Sequence, residues 1–189
     1  MTTTATPATY GLDASIPRFS LARYQKMIEV GILTPDDKVE LLENYVVLKM
    51  PRNPPHDGTI QISTEALAPL IPPGWRLRVQ LTVVLTDSQP EPDFALVRGD
   101  ARTYVAHHPG PADVGLLIEV ADSSLLRDQR DKTRIYARGG IPCYWIINLV
   151  DRQVEVYTQP SGPTALPSYG SVQTYQSGDR VSFVLDGVT

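Results

Sequence analysis

Apolar positions along the chain form short strand-like runs separated by three stretches with helical spacing. The first helical stretch begins at Ser20, a good helix-capping residue, and stops at Gly31. The other predicted helices cover 56–70 and 125–138, and the predicted strands cover 39–42, 45–48, one or two segments within 75–85, 93–97, 115–121, 144–150 and 153–158. From Ser161 onward the pattern predicts a loop followed by weak strands.

Residues typical of turns and helix ends support these boundaries of the predicted helices and strands. Glu43-Asn44, between two strand-like runs, is typical of a tight hairpin turn, and Gly139-Gly140 ends the third helix. The chain has 17 prolines, yet thirty residues between Pro111 and Pro142 contain none. This interval has room for a buried strand followed by a helix, so we expect the core motif there.

The mixture of elements predicts an α/β (mixed α+β) fold, in which a central mixed β-sheet is flanked by helices and preceded by an N-terminal helix and a β-hairpin. No internal repeat or long linker divides the chain. We therefore expect a flexible tail over 1–17 and a single domain over 18–189, with its core motif in 90–150 and C-terminal strands in 153–189.

Composition narrows the class of protein. The chain has 189 residues, of which 42% are hydrophobic and 20% charged, as in a soluble globular domain without a membrane-spanning segment. Its single cysteine, Cys143, excludes an internal disulfide and a cysteine-cluster zinc site, which favours a cytoplasmic location. The formal charge of −4 argues against binding to nucleic acid by bulk charge alone, so a polyanionic substrate would have to meet a local patch.

The clearest chemical signal is a carboxylate within an almost wholly apolar strand. Glu119 lies in the run 116–121, which is typical of a strand covered on both faces of a sheet. A buried carboxylate has to be neutralised by protonation, by a cationic side chain or by a metal ion. Both a structural ion pair and a functional site fit this pattern.

A second carboxylate, Asp93, follows the stiff segment Pro90-Glu91-Pro92. Because aspartate beside proline is common in turns, Asp93 is alternatively an ordinary turn residue. If the strands carrying Asp93 and Glu119 are neighbours, the two carboxylates can converge on one hard cation such as Mg²⁺. Glu40, inside the apolar run 39–42, would extend this acidic cluster or help to hold a second ion.

The predicted helix 125–138 carries two kinds of base. Lys132 shares the apolar face with Ile135, where it would orient an attacking water or stabilise charge on a transition state. The alternative is a surface ion pair with Asp128. A stripe nearly opposite Lys132 is a candidate phosphate track or a solvated face, and consists of Arg127, Arg130, Arg134 and Arg138.

The histidines carry no assigned chemistry. His56 is expected to cap a helix or to contact solvent, and His107-His108 lack the spacing of a metalloprotease site. Since the chain has no phosphate-binding glycine loop, serine nucleophile elbow or supported cysteine–histidine pair, covalent catalysis has no candidate residue.

The order of these residues resembles the PD-(D/E)XK nuclease superfamily, whose members build a metal site on a mixed sheet. The longer pattern is similar to a large bacterial family of restriction-endonuclease-like proteins within that superfamily. The segments that carry the resemblance are Pro90-Glu91-Pro92-Asp93, Glu119-Val120-Ala121-Asp122-Ser123-Ser124, Asp128, Lys132, Tyr136, Gly140-Ile141-Pro142 and Tyr144-Trp145-Ile146-Ile147, with Tyr24, 39–42 and His56 upstream.

The superfamily usually places a lysine two residues after the acid, where this chain has Ala121. In the resembled family the lysine is thought to have moved to the following helix, where Lys132 is the matching residue. The resemblance therefore implies a restriction-endonuclease-like fold that uses Mg²⁺ or Mn²⁺. The roles it implies are metal binding by Asp93, Glu119 and the main-chain carbonyl of Val120, assistance by Lys132, and a supporting role for Glu40.

Together these observations predict a metal-dependent endonuclease that hydrolyses phosphodiester bonds in nucleic acid, with DNA as the expected substrate and water as the nucleophile. We also expect a homodimer, since a symmetric dimer is the commonest oligomer and suits the cleavage of two strands. The alternative is a non-catalytic module that keeps the nuclease fold and binds nucleic acid or a protein partner.

Overall fold

The computed structural model describes residues 16–100 and 102–185. The predicted tail over 1–17 lies outside the described residues except at 16 and 17, and so do the last four positions of the predicted C-terminal strands, 186–189.

Four α-helices and eight strands form the described part of the chain. The helices are α1 (Leu21–Glu29), α2 (Pro54–Leu67), α3 (Leu125–Arg127) and α4 (Thr133–Arg138), and short 3₁₀ turns cover Pro35–Asp37, Ala68–Leu70 and Pro111–Asp113. The strands are β1 (Val39–Leu42), β2 (Tyr45–Leu48), β3 (Trp75–Val79), β4 (Phe94–Arg98), β5 (Val114–Ala121), β6 (Cys143–Asn148), β7 (Gln153–Pro160) and β8 (Tyr169–Gln176). A π-helical turn, Asp128–Lys132, joins α3 to α4, so 125–138 is one continuous helical segment, called here the crossover helix.

The strands form one hairpin and one large sheet. Strands β1 and β2 pair in an antiparallel hairpin, while β3 to β8 form a six-stranded sheet in sequential order. Only β5 and β6 pair in parallel within this sheet. A parallel pair needs a crossover connection, and the crossover helix supplies it. The observed sheet is therefore mixed, as the sequence predicts.

The hairpin turn has the two residues that the sequence predicts. Glu43 and Asn44 have φ angles of 50° and 67°, which the two-residue turn between twisted antiparallel strands requires. The amide of Glu43 donates to Ser88 Oγ at 2.9 Å, and the amide of Asn44 donates to the carbonyl of Asp87 at 2.8 Å. These bonds tie the turn to the loop between β3 and β4.

Each face of the large sheet has its own apolar core, because successive strand residues point to opposite faces. On one face, Leu117 and Ala121 pack with Tyr136 of the crossover helix. On the other face, Ile118 belongs to a second core that α2 partly covers. By this alternation Glu119 lies on the face of Leu117 and Ala121, beneath the crossover helix.

Several helices and strands begin or end at other residues than the sequence predicts. Helix α2 begins at Pro54 because Asn53 caps it, and proline is well suited to a first helical position. The segment 75–85 contains one strand that stops at Val79, and Gln80 then takes a left-handed conformation with a φ of 54°. The weak strands predicted after Ser161 are a single eight-residue strand, β8, paired with β7.

No helix among the described residues is both long and apolar enough to cross a membrane.

Candidate active site

The register of β4 and β5 places the first two predicted acids side by side. Phe94 pairs with Ile118, so Asp93, one residue before Phe94, lies across from Glu119. Strand alternation puts both carboxylates on the face that the crossover helix covers. Asp93 is 8% exposed and Glu119 is 3% exposed. The two strands are therefore neighbours, as a convergence of these acids requires.

Asp93 is held by donors from three elements. Its Oδ2 accepts the amide of Val120 at 2.9 Å and lies 3.2 Å from His56 Nε2, and its Oδ1 accepts Gln80 Nε2 at 3.3 Å. Burial alone would raise the pKa of Asp93, but the bonds to His56 and Val120 and the charge of Lys132 outweigh it and lower the pKa. Asp93 is thus a carboxylate at neutral pH.

Glu119 receives its partners on one oxygen. Lys132 Nζ lies 2.8 Å from Oε1, and the hydroxyl of Tyr136 donates to the same atom at 2.7 Å. No donor among the described residues meets Oε2. Burial raises the pKa of Glu119 above its ordinary value, against the lowering effect of the Lys132 ammonium.

Lys132 is the cation at the centre of the site. Its Nζ lies 3.6 Å from Asp128 Oδ1 in addition to its contact with Glu119. Burial would lower the pKa of Lys132, but the negative charges of Glu119, Glu40 and Asp128 raise it well above its ordinary value, so the ammonium form is kept. Lys132 and Asp128 are both buried. The alternative of a surface ion pair is therefore wrong, because both side chains point into the protein.

The π-helical turn Asp128–Lys132 places Lys132 in this position. A π-turn is rare, and it occurs most often as a single insertion in an α-helix at a functional site. The carbonyl of Asp128 accepts the hydroxyl of Thr133 at 2.9 Å and that of Tyr144 at 3.4 Å. The sequence prediction assumed a regular helix, since no local pattern signals this insertion.

Glu40 joins the cluster from β1. It is 4% exposed, and its Oε2 accepts the amide of Glu91 at 3.4 Å. Its negative charge also contributes to the raised pKa of Lys132. The structure thus brings together Asp93, Glu119, Lys132 and Glu40, with Val120 bound to Asp93 through its amide. The catalytic and metal-binding roles of these residues stay predictions.

Three side chains at the site were missed or underrated by the sequence analysis. His56 lies in the first turn of α2, which Asn53 caps, so His56 is not the expected cap; its ring contacts Asp93 and its side chain is only 14% exposed. Tyr136 binds Glu119, and Asp128 faces Lys132. All three belong to the pattern that carries the family resemblance, which was the one signal in the sequence that pointed to them.

The four arginines of the predicted phosphate track do not share one environment. Arg134 and Arg138 bind the carboxylate of Glu43 in the hairpin turn, and Arg138 also binds Asp87 at 2.9 Å. The guanidinium of Arg127 donates to the carbonyl of Leu48 at 2.9 Å, while Arg130 is the exposed member. Three of the four side chains therefore bind the hairpin, and the track of four stays a prediction.

The donor set decides how a metal ion would fit. Among residues 16–100 and 102–185, no group of three or more histidine, cysteine, aspartate or glutamate side chains could hold a metal ion. Asp93 and Glu119 together offer two carboxylates, and Mg²⁺ is commonly bound by one or two carboxylates while it keeps several waters. The hard oxygen donors therefore fit Mg²⁺ or Mn²⁺, with Glu119 Oε2 open to a ligand.

Comparisons with known proteins support the fold. The model of a family named Uma2, described as "Putative restriction endonuclease", matches residues 21–187. Among solved structures, the chain is similar to a "putative nuclease belonging to DUF820" from Anabaena variabilis, with a TM-score of 0.63 and 14% sequence identity over 90% of this chain and 91% of that chain. A search of the curated proteins gave no match. The predicted mixed α+β, nuclease-like fold is confirmed by the structural similarity.

Proposed function

The chain belongs to the Uma2 family, as the predicted restriction-endonuclease resemblance implies, and on that premise we propose that it is a metal-dependent endonuclease. It hydrolyses phosphodiester bonds in nucleic acid, with DNA as the expected substrate. The family membership supports a nuclease-like protein that acts on nucleic acid. The metal ion, the DNA substrate, a homodimeric assembly and a cytoplasmic location are parts of this proposal.

One observation carries the proposal. A lysine, an aspartate and a glutamate converge in one buried cluster, although they come from the crossover helix, the residue before β4 and the C-terminal part of β5. Lys132 Nζ lies 2.8 Å from Glu119 Oε1, and Asp93 lies across the strand pair from Glu119. Burying these charges together costs free energy, and metal-assisted hydrolysis of a phosphodiester can use two carboxylates to hold the ion and a cation to stabilise the developing charge.

The residues of the site have separable roles. Asp93, Glu119 and the carbonyl of Val120 would hold the ion, which supplies an acidified water and stabilises charge on the phosphate. His56 and the amide of Val120 keep Asp93 ionised and oriented.

Charge that develops on the phosphate oxygens is stabilised by the ammonium of Lys132, which is fixed in place before the substrate arrives. Glu40 has a supporting role, because its negative charge helps to keep Lys132 protonated. Arg130, the exposed one of the four arginines of the crossover helix, is the one that would contact a phosphate of the substrate.

The alternative function is a non-catalytic module that binds nucleic acid or a protein partner. Two observations favour it: Lys132 already pairs with Glu119, and the described residues supply no cluster of three metal-ligating side chains. An ion pair of this kind can remain as a structural contact in a fold whose chemistry has been lost.

Cleavage by matched variants tests the proposal. Plasmid, linear duplex, single-stranded DNA and RNA are incubated with Mn²⁺ or Mg²⁺ and the parent protein, Glu119→Gln, Asp93→Asn or the control Glu65→Gln. Glu65 is an exposed acid on α2, so its variant should retain the parent rate. We expect both site variants to lose at least about a hundredfold in rate, the scale of one group acting in acid–base or electrostatic catalysis.

Two results would contradict the proposal. Equal cleavage by the parent protein and both site variants would mean a contaminant or a wrongly assigned site. No cleavage of any substrate by the parent protein would favour the non-catalytic module.

A further inference from the structure

A cavity of about 750 Å³ opens beside the candidate site. It is enclosed by α1, by the start of the hairpin and by the segment that follows β2. The charged and exposed apolar side chains that line it include Ile28, Lys38, Lys49, Met50, Arg52 and Glu91. Its volume lies within the range of about 300 to 1,000 Å³ that is usual for small-molecule sites.

Glu91 connects this cavity to the acidic cluster. Its side chain lines the cavity, while its amide donates to Glu40 Oε2 at 3.4 Å. Asp93 follows two residues later on the same strand entry. Val39, which precedes Glu40, is also part of the cavity wall. The cavity is therefore adjacent to the predicted active site, since residues that line it are direct neighbours of Glu40 and close neighbours of Asp93 in the chain.

The cavity wall is positively charged, although the chain as a whole has a formal charge of −4. Lys38, Lys49 and Arg52 line it, and Glu91 is its one acidic residue. Glu91 already pairs with Lys49, with Oε2 and Nζ 2.5 Å apart. No carboxylate among the described residues pairs with Lys38 or Arg52. Two cations thus remain available to an anion such as a phosphate.

Apolar side chains form the other part of the wall. Ile28 is 44% exposed and Met50 is 40% exposed, and both line the cavity. Exposed apolar side chains that border a cavity are typical of a binding surface, and a methionine adapts its shape to a flat ligand. An apolar wall beside two free cations matches a ligand with a flat apolar part and a phosphate, which describes a nucleotide.

We propose that this cavity binds one nucleotide of the substrate strand, with its base against Ile28 and Met50 and its phosphate near Lys38 and Arg52. The choice of a nucleotide among phosphate-bearing ligands rests on the proposed function. A base reaches such a cavity only when it is unstacked and unpaired. The substrate class is therefore single-stranded or locally unpaired nucleic acid, held beside Asp93 and Glu119.

Binding of a mononucleotide without metal tests the cavity separately from catalysis. A deoxynucleoside monophosphate is titrated calorimetrically into the parent protein in the presence of a chelator, with inorganic phosphate as the comparison ligand. The variants are Lys38→Asn with Arg52→Gln, and Ile28→Asp. Asparagine suits the left-handed backbone of Lys38, whose φ is 49°. The control is Arg180→Gln, which removes an exposed charge after β8.

We expect the nucleotide to bind more tightly than phosphate, and both cavity variants to weaken its binding by about tenfold or more. The control should bind as the parent protein does. The proposal is overturned by an absence of nucleotide binding, by equal affinities for nucleotide and phosphate, or by cavity variants that bind like the control.

A cleavage measurement distinguishes failure of the cavity from failure of the proposed function. Where the parent protein cleaves a single-stranded oligonucleotide, the double variant should raise KM and leave kcat nearly unchanged, whereas Glu119→Gln should remove kcat. Cleavage with an unchanged KM in the double variant would contradict nucleotide binding in the cavity and would still support the proposed nuclease activity. Nucleotide binding that the cavity variants abolish, in a protein that cleaves nothing, would support the cavity and contradict the nuclease.

Discussion

At Glu119, two donors meet the same carboxylate oxygen, and both come from one helix. Lys132 supplies the charge and Tyr136 supplies a hydroxyl, at 2.8 Å and 2.7 Å from Oε1. A buried carboxylate with only one side occupied keeps its other oxygen ready for a further ligand. Ala121 stands two residues after Glu119, where the resembled superfamily usually has a lysine. In this chain Lys132, on the helix that follows β5, contacts Glu119 instead.

Gly115 lies where the side chains of Trp75 and Leu185 pack closely against the backbone of β5. It lies in β5, and a Cβ added there would stand 2.7 Å from the ring of Trp75 and would press against Leu185. Gly58, in contrast, lies in α2, and nothing comes within 4 Å of a Cβ added to it. The two glycines therefore form a matched pair for measuring the tightness of the second core.

We predict that Gly115→Ala lowers the free energy of unfolding by about 1 to 3 kcal/mol, because an overpacked site forces its neighbours apart. Gly58→Ala should raise the free energy of unfolding by up to about 1 kcal/mol, because alanine is the better helix former. Urea unfolding measures both changes. Identical midpoints for Gly115→Ala and the parent protein would show that Trp75 and Leu185 can move aside freely.

Between the elements, arginines fasten the crossover helix to the hairpin. Arg134 and Arg138 both bind the carboxylate of Glu43, which is only 10% exposed, and Arg127 binds the carbonyl of Leu48. The hairpin also carries Glu40, so these bonds help to hold Glu40 beside the other acids of the site. In the sequence these arginines suggest a solvated face or a phosphate track. In the structure, three of them also connect the crossover helix to the hairpin.

We predict that Glu43→Gln lowers the free energy of unfolding near neutral pH by on the order of 2 kcal/mol, since it removes charge-assisted hydrogen bonds. Burial would raise the pKa of Glu43, but the bonds from Arg134 and Arg138 outweigh it and lower the pKa below its ordinary value of 4.5.

A carboxyl group with a lowered pKa in the folded state stabilises the protein above its ordinary pKa and loses that effect as the pH falls through the lowered value. Urea unfolding of the parent protein and of Glu43→Gln over a series of acidic pH values measures this. The difference between the two proteins should be full at neutral pH and should shrink in acid. A difference that does not change with pH would contradict the ionic contribution of Glu43.

For the whole molecule, the metal ion is the ligand expected to couple the site to global stability. Asp93 directly precedes β4 and Glu119 lies in β5, and these two strands are neighbours in the sheet, so an ion bound to both acids would favour the folded state. A ligand that binds only the folded state stabilises it in proportion to the logarithm of its concentration over its dissociation constant. The non-catalytic alternative predicts no such coupling.

We predict that Mn²⁺ at about a hundred times its dissociation constant stabilises the parent protein by about 2.7 kcal/mol, with a matching rise in Tm. Asp93→Asn and Glu119→Gln should each remove most of this rise, while Glu65→Gln should keep it. Differential scanning calorimetry with and without Mn²⁺ makes the comparison. An equal rise in all four proteins would place the ion elsewhere, and no rise in any of them would favour the non-catalytic module.

Local patterns in the sequence were sufficient for the elements themselves. The strands 39–42 and 45–48 and the turn at Glu43-Asn44 were predicted with the observed limits, and so was the helical segment 125–138. Period and turn chemistry act over a few neighbouring residues, so they can be recognised without knowing the fold. The order of the acids and the lysine, together with the longer pattern of residues around them, also identified the family.

Tertiary structure alone decided which of these residues meet. The register of Phe94 with Ile118 brings Asp93 to Glu119, and the packing of α2 turns the ring of His56 toward Asp93. The π-helical turn that carries Lys132 and the inward bonds of the arginines have no local signal in the sequence. Such contacts join positions far apart in the chain, and their energies depend on burial and charge that exist only once the sheet, the hairpin and the crossover helix have packed together.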